Sequence, residues 1–146
     1  TPGHAQGLVS LYERENSLLF AADAVGDVVA WYSPSSGGLT GFLEGLDRLD
    51  EVHASLLIPS HGSPSAEPHK EIEKTRARLL RREERIVKEL SRESATFSEL
   101  LGRVFKDPWI SFFPGSQILQ LHLDKLEMVG RVVCREEDEE WLMELV

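Results

Sequence analysis

Runs of apolar residues divide the first part of the chain into short elements of two kinds. Residues 7–13 alternate apolar and polar for part of their length, and residues 17–22 are continuously apolar, so together they predict a β-hairpin. Helical spacing of leucine and phenylalanine predicts a helix over 39–52. Residues 54–58 predict another buried strand, which Pro59 ends. Strand, helix and strand in this order predict an α/β layout.

Helical spacing dominates the rest of the chain. Between residues 69 and 92, apolar positions recur at sevenfold spacing and the other faces carry interleaved Arg, Lys and Glu, which is typical of a solvated helix. Thr96 and Glu99 fit a capping box, in which each side chain satisfies a main-chain N–H at the start of a helix. The predicted elements are a helix over 69–92, a helix that begins at 96, a third helix over 116–128, a strand at 131–135, and a final apolar helix after the acidic run at 136–140.

The chain is long enough for one domain or two small ones. Its order of helix, helix, helix and strand after residue 67 is that of a winged-helix unit. A turn-rich link at 63–68 precedes these helices. We therefore predict an α/β domain over 1–66 and a long helix with a small winged-helix-like domain over 67–146. A further short apolar segment lies at 28–32.

Composition and charge narrow the class of protein. Hydrophobic residues make up 41% of the chain and charged residues 28%, which suits a folded core. The net charge of −9 counts against a general nucleic-acid binder, because phosphate contacts need Lys and Arg. Five arginines between 76 and 85 are interleaved with glutamates, which favours a salt-bridged helix face over a phosphate-binding one.

Cysteine usage and hydropathy indicate a compartment. Cys134 is the only cysteine, so no internal disulfide can form and a reducing cytoplasm is expected. No stretch approaches the roughly 20 apolar residues of a membrane span, and no basic-then-apolar signal peptide is visible. We expect no membrane partner.

Three side chains that can bind a metal lie where loops leave the predicted strands. His4 precedes the first strand, Asp23 follows the second and His61 follows the last. Imidazole nitrogen and carboxylate oxygen are ordinary zinc ligands. Taken singly, they are better explained as an exposed histidine, a turn aspartate and a tight loop. As a set, two histidines and one aspartate are too few ligands for a two-metal site.

The order of these residues resembles a known family. Thr1-Pro2-Gly3-His4, then a strand that ends in Ala22-Asp23, then Pro59-Ser60-His61-Gly62 resembles the second half of the metallo-β-lactamase superfamily. The family pattern is T-P-G-H, a strand ending in G-D, and P-G-H-G, so Ala22 and Ser60 stand where the family has glycine. The resemblance implies an α/β fold, the second half of an αββα sandwich.

The resemblance also implies roles. His4 would bind the first metal, Asp23 would bridge both and His61 would bind the second, with two Zn²⁺ in a complete site. The parent would be a hydrolase that cleaves an ester, thioester, phosphodiester or lactam with metal-bound hydroxide. The remaining ligands and the catalytic aspartate are expected on an upstream H-x-H-x-D-H motif, and the five histidines of this chain include no H-x-H pair. We expect the chain by itself to be inactive and its partner to be the missing N-terminal half.

The second part of the chain carries its own resemblance. The string H-L-x-K-L-E-x-x-G-x-V at 122–132 looks like the C-terminal winged-helix region of a subfamily that includes an endoribonuclease, which implies single-stranded RNA as an alternative substrate. Trp109, Phe112 and Phe113 could line a substrate mouth or tuck into the core. His122, among apolar neighbours, is expected to be a packed histidine.

A non-catalytic role is the competing hypothesis. Residues 67–146 would then mediate dimerisation or partner binding, and the metal ligands would be relics. In either case an apolar face is expected to be exposed where the missing half would pack. Such a face predicts pairing with a second chain, including a homo-oligomer.

Overall fold

The first part of the chain builds a small mixed sheet with a helical crossover. A computed structural model describes residues 1–27, 32–137 and 140–146. It places strands β1 (Leu11–Glu13), β2 (Leu18–Ala22) and β3 (Leu56–Pro59) in one sheet of order β1-β2-β3. Helix α1 (Gly38–Asp50) connects β2 to β3. Residues 28–31 of the predicted apolar segment lie outside the described part of the chain.

Strand pairing confirms the α/β layout. β1 and β2 form the predicted antiparallel hairpin, in which Leu11 pairs with Phe20. β2 and β3 run parallel, with Leu19 opposite Leu57. Parallel strands need a crossover, and α1 supplies it. Because side chains alternate across a strand, Leu19, Ala21 and Leu57 share the buried face of the sheet.

The sequence of α1 explains which of its faces is buried. Its apolar residues recur three and four positions apart, and four of them are at most 5% exposed. The ring of Phe42 meets the ring of buried Tyr32 edge to face, with centroids 6.1 Å apart. The buried apolar residues of this helix are Leu39, Phe42, Leu46 and Leu49.

The chain divides into two compact units, Thr1–Leu79 and Leu80–Val146. The boundary falls inside α2 (Pro68–Leu90), which is the long helix predicted over 69–92. The predicted domain boundary between residues 66 and 67 lies before this helix and remains a prediction. Within the residues that the structure describes, no helix is both long and apolar enough to cross a membrane.

The second unit combines helices with an antiparallel sheet. The capping box is confirmed, because the Thr96 side chain and the Glu99 carboxylate each accept the other residue's main-chain N–H at the start of α3. The third predicted helix also has the predicted bounds. The elements are β4 (Ala95–Thr96), α3 (Phe97–Val104), the single-turn α4 (Pro108–Ile110), α5 (Ser116–Met128), β5 (Val132–Glu137) and β6 (Glu140–Leu145).

The prediction of a final helix is wrong. Residues Glu140–Leu145 form strand β6, which lies between β4 and β5 in a sheet of order β4-β6-β5. A run of six residues is too short for periodicity to separate strand from helix. Here the strand form satisfies the main chain on both sides, since Met143 pairs with Ala95 and with Cys134.

One polar cluster lies inside the second unit. His122 is fully buried, as predicted for a packed histidine, and its Nδ1 lies 3.7 Å from Glu83 Oε2. Lys125 Nζ donates to both carboxylate oxygens of Glu83, at 2.8 and 2.7 Å. Burial lowers the pKa of His122. Burial alone would raise the pKa of Glu83, but His122 and Lys125 hold it below its usual value.

Candidate metal centre

The parallel strands bring two of the predicted ligands to one edge of the first sheet. Asp23 directly follows β2 and His61 comes two residues after β3. Two main-chain hydrogen bonds tie their loops together: Ser60 N donates to Ala22 O at 3.0 Å, and Asp27 N donates to His61 O at 3.2 Å. The carboxyl ends of neighbouring parallel strands are where α/β proteins ordinarily place their functional groups.

The segment that carries the third predicted ligand, His4, is held against α1. Gly3 O accepts hydrogen bonds from Ser33 N at 3.0 Å and from Ser36 Oγ at 2.5 Å. Gly3 has φ 118, and a Cβ at this position would lie 2.4 Å from the Cα of Phe42. Only glycine fits this approach, which explains why the motif needs glycine before the histidine.

Asp23 lies between the two histidines. His61 Nε2 is 3.5 Å from Asp23 Oδ1, and His4 Nε2 is 3.8 Å from Asp23 Oδ2. The side chain of Asp23 is one-third exposed, yet its Oδ1 is buried and accepts no hydrogen bond within the described residues. A buried carboxylate oxygen without a donor is costly, so this position suits a cation.

The three side chains fit one side of a metal site rather than a whole one. Two imidazole nitrogens and a carboxylate are a donor set that zinc accepts. Among residues 1–27, 32–137 and 140–146, however, no group of three or more His, Cys, Asp or Glu side chains has an arrangement that could by itself hold a metal ion. Further ligands are therefore needed for a closed site.

The two departures from the family pattern differ in their backbone. Ala22 has φ 52, in the left-handed region that glycine enters freely and alanine does not. The β2–β3 register also shifts between Phe20 and Ala22, so the strand bends as it delivers Asp23. Ser60 is not among the residues with positive φ, so serine is tolerated there without strain.

A polar cavity opens beside His61. It has a volume of about 220 Å³ and is bounded by the segments 25–27 and 57–65 and by the first turns of α2. Asp27, Ser63 and Lys74 are among the polar side chains on its wall.

The other predicted site residues lie in the second unit. Trp109, Phe112 and Phe113 are 83%, 81% and 58% exposed, so the alternative of a loop tucked into the core is wrong. Their role in binding a substrate stays a prediction.

The arginines of α2 make intramolecular contacts. Arg76 bonds to Asp47 and Glu73, and Arg85 donates to the carbonyl of Arg103. The guanidinium of Arg82 lies over the ring of Phe105, 5.8 Å from its centroid. These contacts agree with a structural helix face.

One contact near the site could not be predicted from the sequence. Arg78 Nη2 donates to Gly26 O at 2.7 Å, across 52 positions of the chain. No local pattern reports a contact between residues so far apart. Only the folded packing of α2 brings the guanidinium to the loop that follows Asp23.

Comparisons with known proteins address the fold. A metallo-β-lactamase family protein from Thermus thermophilus matches 97% of this chain at a TM-score of 0.77 and 27% identity, and the match covers 46% of that protein. A β-lactamase domain protein from Burkholderia ambifaria matches 99% of this chain at a TM-score of 0.82 and 20% identity, over 45% of its length. No family model and no curated protein matches the chain.

The chain thus spans less than half the length of these two solved structures. The structural match nevertheless includes nearly all residues of this chain. Together with the strand order and the loops that carry the candidate ligands, it shows that the chain has a metallo-β-lactamase-like fold.

Proposed function

We propose that this chain is part of a zinc-dependent hydrolase and contributes His4, Asp23 and His61 to a two-metal site. The observation that carries the proposal is the position of Asp23, whose two carboxylate oxygens lie 3.8 and 3.5 Å from the Nε2 atoms of the two histidines. Zinc bound there would activate a water molecule for hydrolysis and neutralise negative charge that develops on the substrate.

Each residue has a distinct part in this proposal. His4 and His61 present imidazole nitrogens from two separate loops, and Asp23 presents one oxygen to each side. Asp23, which lies between the two histidines, would hold metal together with both of them. The substrate class proposed is an ester, thioester or phosphodiester, and the upstream half of the site would supply the remaining ligands.

The metal proposal can be tested on the 146-residue chain by NMR of its histidine imidazoles. Titration with Zn²⁺ should shift the resonances of His4 and His61 and leave those of His53 and His69 in place. Asp23→Asn should weaken the response, because the amide removes the negative charge that holds the cation. A matched control is Asp50→Asn, which removes the ion-pair partner of His69 instead. Because further ligands are needed for a closed site, binding to this chain should be weak and should require millimolar Zn²⁺. No shift at His4 and His61 at that concentration, or an equal response in Asp23→Asn, would refute the proposal.

We also propose that the rest of the sandwich covers the open face of the first sheet. Val9, Leu11 and Phe20 are 65%, 65% and 41% exposed, and Leu11 and Phe20 are direct cross-strand neighbours on the same face. Uncovered apolar surface of this kind marks a packing interface. The partner would be a polypeptide equivalent to the part of the solved relatives that this chain does not match.

Self-association of the isolated chain tests whether this exposed apolar face is a packing interface. Without the covering partner we expect concentration-dependent oligomers in sedimentation velocity, and Leu11→Lys should shift the chain towards monomer. Trp109→Lys is the matched control, since it places the same charge on an exposed aromatic in the second unit. Monomeric wild-type chain at high concentration would contradict the proposal.

The second unit supports a winged-helix-like interpretation without a nucleic-acid role. Its helices α3 and α5 are followed by the β5–β6 hairpin, which is the order of that unit. The hairpin is acidic, with Glu136, Glu137, Glu140 and Glu144 exposed against Arg135. Such a surface repels phosphate. We therefore favour a packing role for this unit over RNA binding.

A further inference from the structure

The loop after Asp23 is fixed at its far end as well as at its start. Gly26 has φ 148, and a Cβ there would lie 2.4 Å from His61 O. The next residue, Asp27, donates its main-chain N–H to that same carbonyl. The segment from Asp23 to Asp27 therefore rests directly on the main chain of His61, and a movement of one loop must displace the other.

Arg78 holds this pair of loops from outside. Its Nη2 donates to Gly26 O at 2.7 Å, a charge-assisted hydrogen bond to a carbonyl. Arg78 is half-buried and lies on α2 next to Leu79, which is fully buried, as is Ile72 earlier in the helix. A helix anchored by buried side chains is a rigid support, so the guanidinium fixes Gly26 rather than following it.

We propose that Arg78 is a positioning residue for the candidate metal centre. It holds Gly26, and through Gly26 the spacing between Asp23 and His61. This inference rests on the proposed function. Residues that support metal ligands from behind change metal affinity by about 10–100-fold when they are removed.

The test is a Zn²⁺ titration of the whole 146-residue chain, followed by the imidazole resonances of His4 and His61. Arg78→Met keeps an unbranched side chain of similar reach and removes the donor, and it should weaken binding by about 10-fold. Arg78→Lys retains a cationic donor group and should weaken binding less than Arg78→Met does. Arg81→Met is the matched control, because Arg81 is exposed on the same helix, and it should bind like the wild type.

A second readout needs no metal. Amide hydrogen exchange at Asp27, whose N–H is bonded to His61 O, should be faster in Arg78→Met than in Arg81→Met. A role in overall stability alone would lower the unfolding free energy without changing the affinity of the folded chain for Zn²⁺.

The outcomes separate the two proposals. If the wild-type chain binds Zn²⁺ through His4 and His61 and folded Arg78→Met binds equally well, the positioning role is overturned while the metal centre stands. If Arg78→Met does not fold, wild-type affinity in Arg78→Lys overturns the positioning role. If the wild-type chain does not bind Zn²⁺ at these histidines, the proposed function fails, and the positioning role fails with it.

Discussion

Replacing Ala22 with glycine should stabilise the first unit, although most substitutions destabilise a folded protein. Ala22 ends β2 with φ 52 and directly precedes Asp23. Its main-chain carbonyl accepts the hydrogen bond from Ser60 N, which joins the two loops of the candidate metal centre. The conformation is therefore imposed by the fold, and alanine occupies a position that suits glycine.

The size of the effect follows from two opposing terms. A non-glycine residue in the left-handed region costs about 1–2 kcal/mol, which glycine would not pay. Glycine also gives the unfolded chain more freedom, which removes about 0.4–1 kcal/mol of the gain. The net prediction for Ala22→Gly is a stabilisation of about 0.5–1 kcal/mol, or roughly 2–8 °C in the Tm of a unit as small as Thr1–Leu79.

The assay is urea unfolding of the 146-residue chain, with Ala21→Gly as the matched control. Ala21 is the preceding residue, is fully buried and has no positive φ. The same chemical change there removes a buried methyl group and loosens a strand, so it should destabilise the unit by about 1–2 kcal/mol. Two adjacent alanine-to-glycine substitutions should thus have opposite signs.

Because the chain has two compact units, the unfolding signal must be assigned to the first. Amide hydrogen exchange at Ser60, whose N–H is bonded to Ala22 O, reports that unit directly. Protection at Ser60 should rise in Ala22→Gly and fall in Ala21→Gly. If both variants lose protection to a similar extent, the backbone of Ala22 is not strained and the reasoning is refuted.

Three further predictions concern other parts of the chain, each measured by urea unfolding. Gly3→Ala should lower the free energy of unfolding by more than about 3 kcal/mol, because the new Cβ collides with the main chain of α1. Gly7→Ala, with φ 82 and open space around it, should lower it by only about 1 kcal/mol, and equal losses would contradict the collision. Thr96→Ala should cost about 1 kcal/mol by removing the cap of α3, against almost nothing for Ser98→Ala. Because burial lowers the pKa of His122, this histidine takes up a proton more readily in the unfolded chain than in the folded one. The free energy of unfolding should therefore fall as the pH drops below about 6.5, by at most about 1.4 kcal/mol per pH unit. An unchanged dependence of the unfolding free energy on pH in His122→Gln would contradict this.

The elements that the sequence predicts well are those with strong local signals. The helix over 116–128 coincides with α5, and the capping box at Thr96 begins α3 as predicted. The hairpin of β1 and β2 also follows from local patterning. In each case the residues that decide the structure lie within a few positions of one another, so a periodicity or a cap is enough to identify the element.

The elements that the sequence missed depend on distant partners. β6 became a strand because β4 and β5 flank it, and β4 itself is only two residues long. The positive φ of Ala22 coincides with the shifted register between β2 and β3. The bond from Arg78 to Gly26 joins positions 52 residues apart. None of these is encoded by residue types within a short window, so tertiary packing decides them.

The three candidate ligands lie close together although the chain spans less than half the length of the two solved structures it matches. The contacts described above that position them lie within the first unit: Ser33 and Ser36 hold Gly3, and Ser60 and Arg78 hold the loops of Asp23 and His61. The spacing of these three side chains is therefore a property of the β2–α1–β3 crossover and the segments packed on it. If the chain binds Zn²⁺ more weakly than a complete site, the cause lies in the number of its ligands and not in the order of its loops. An added polypeptide that supplies further ligands should then raise the affinity without rearranging the residues already in place.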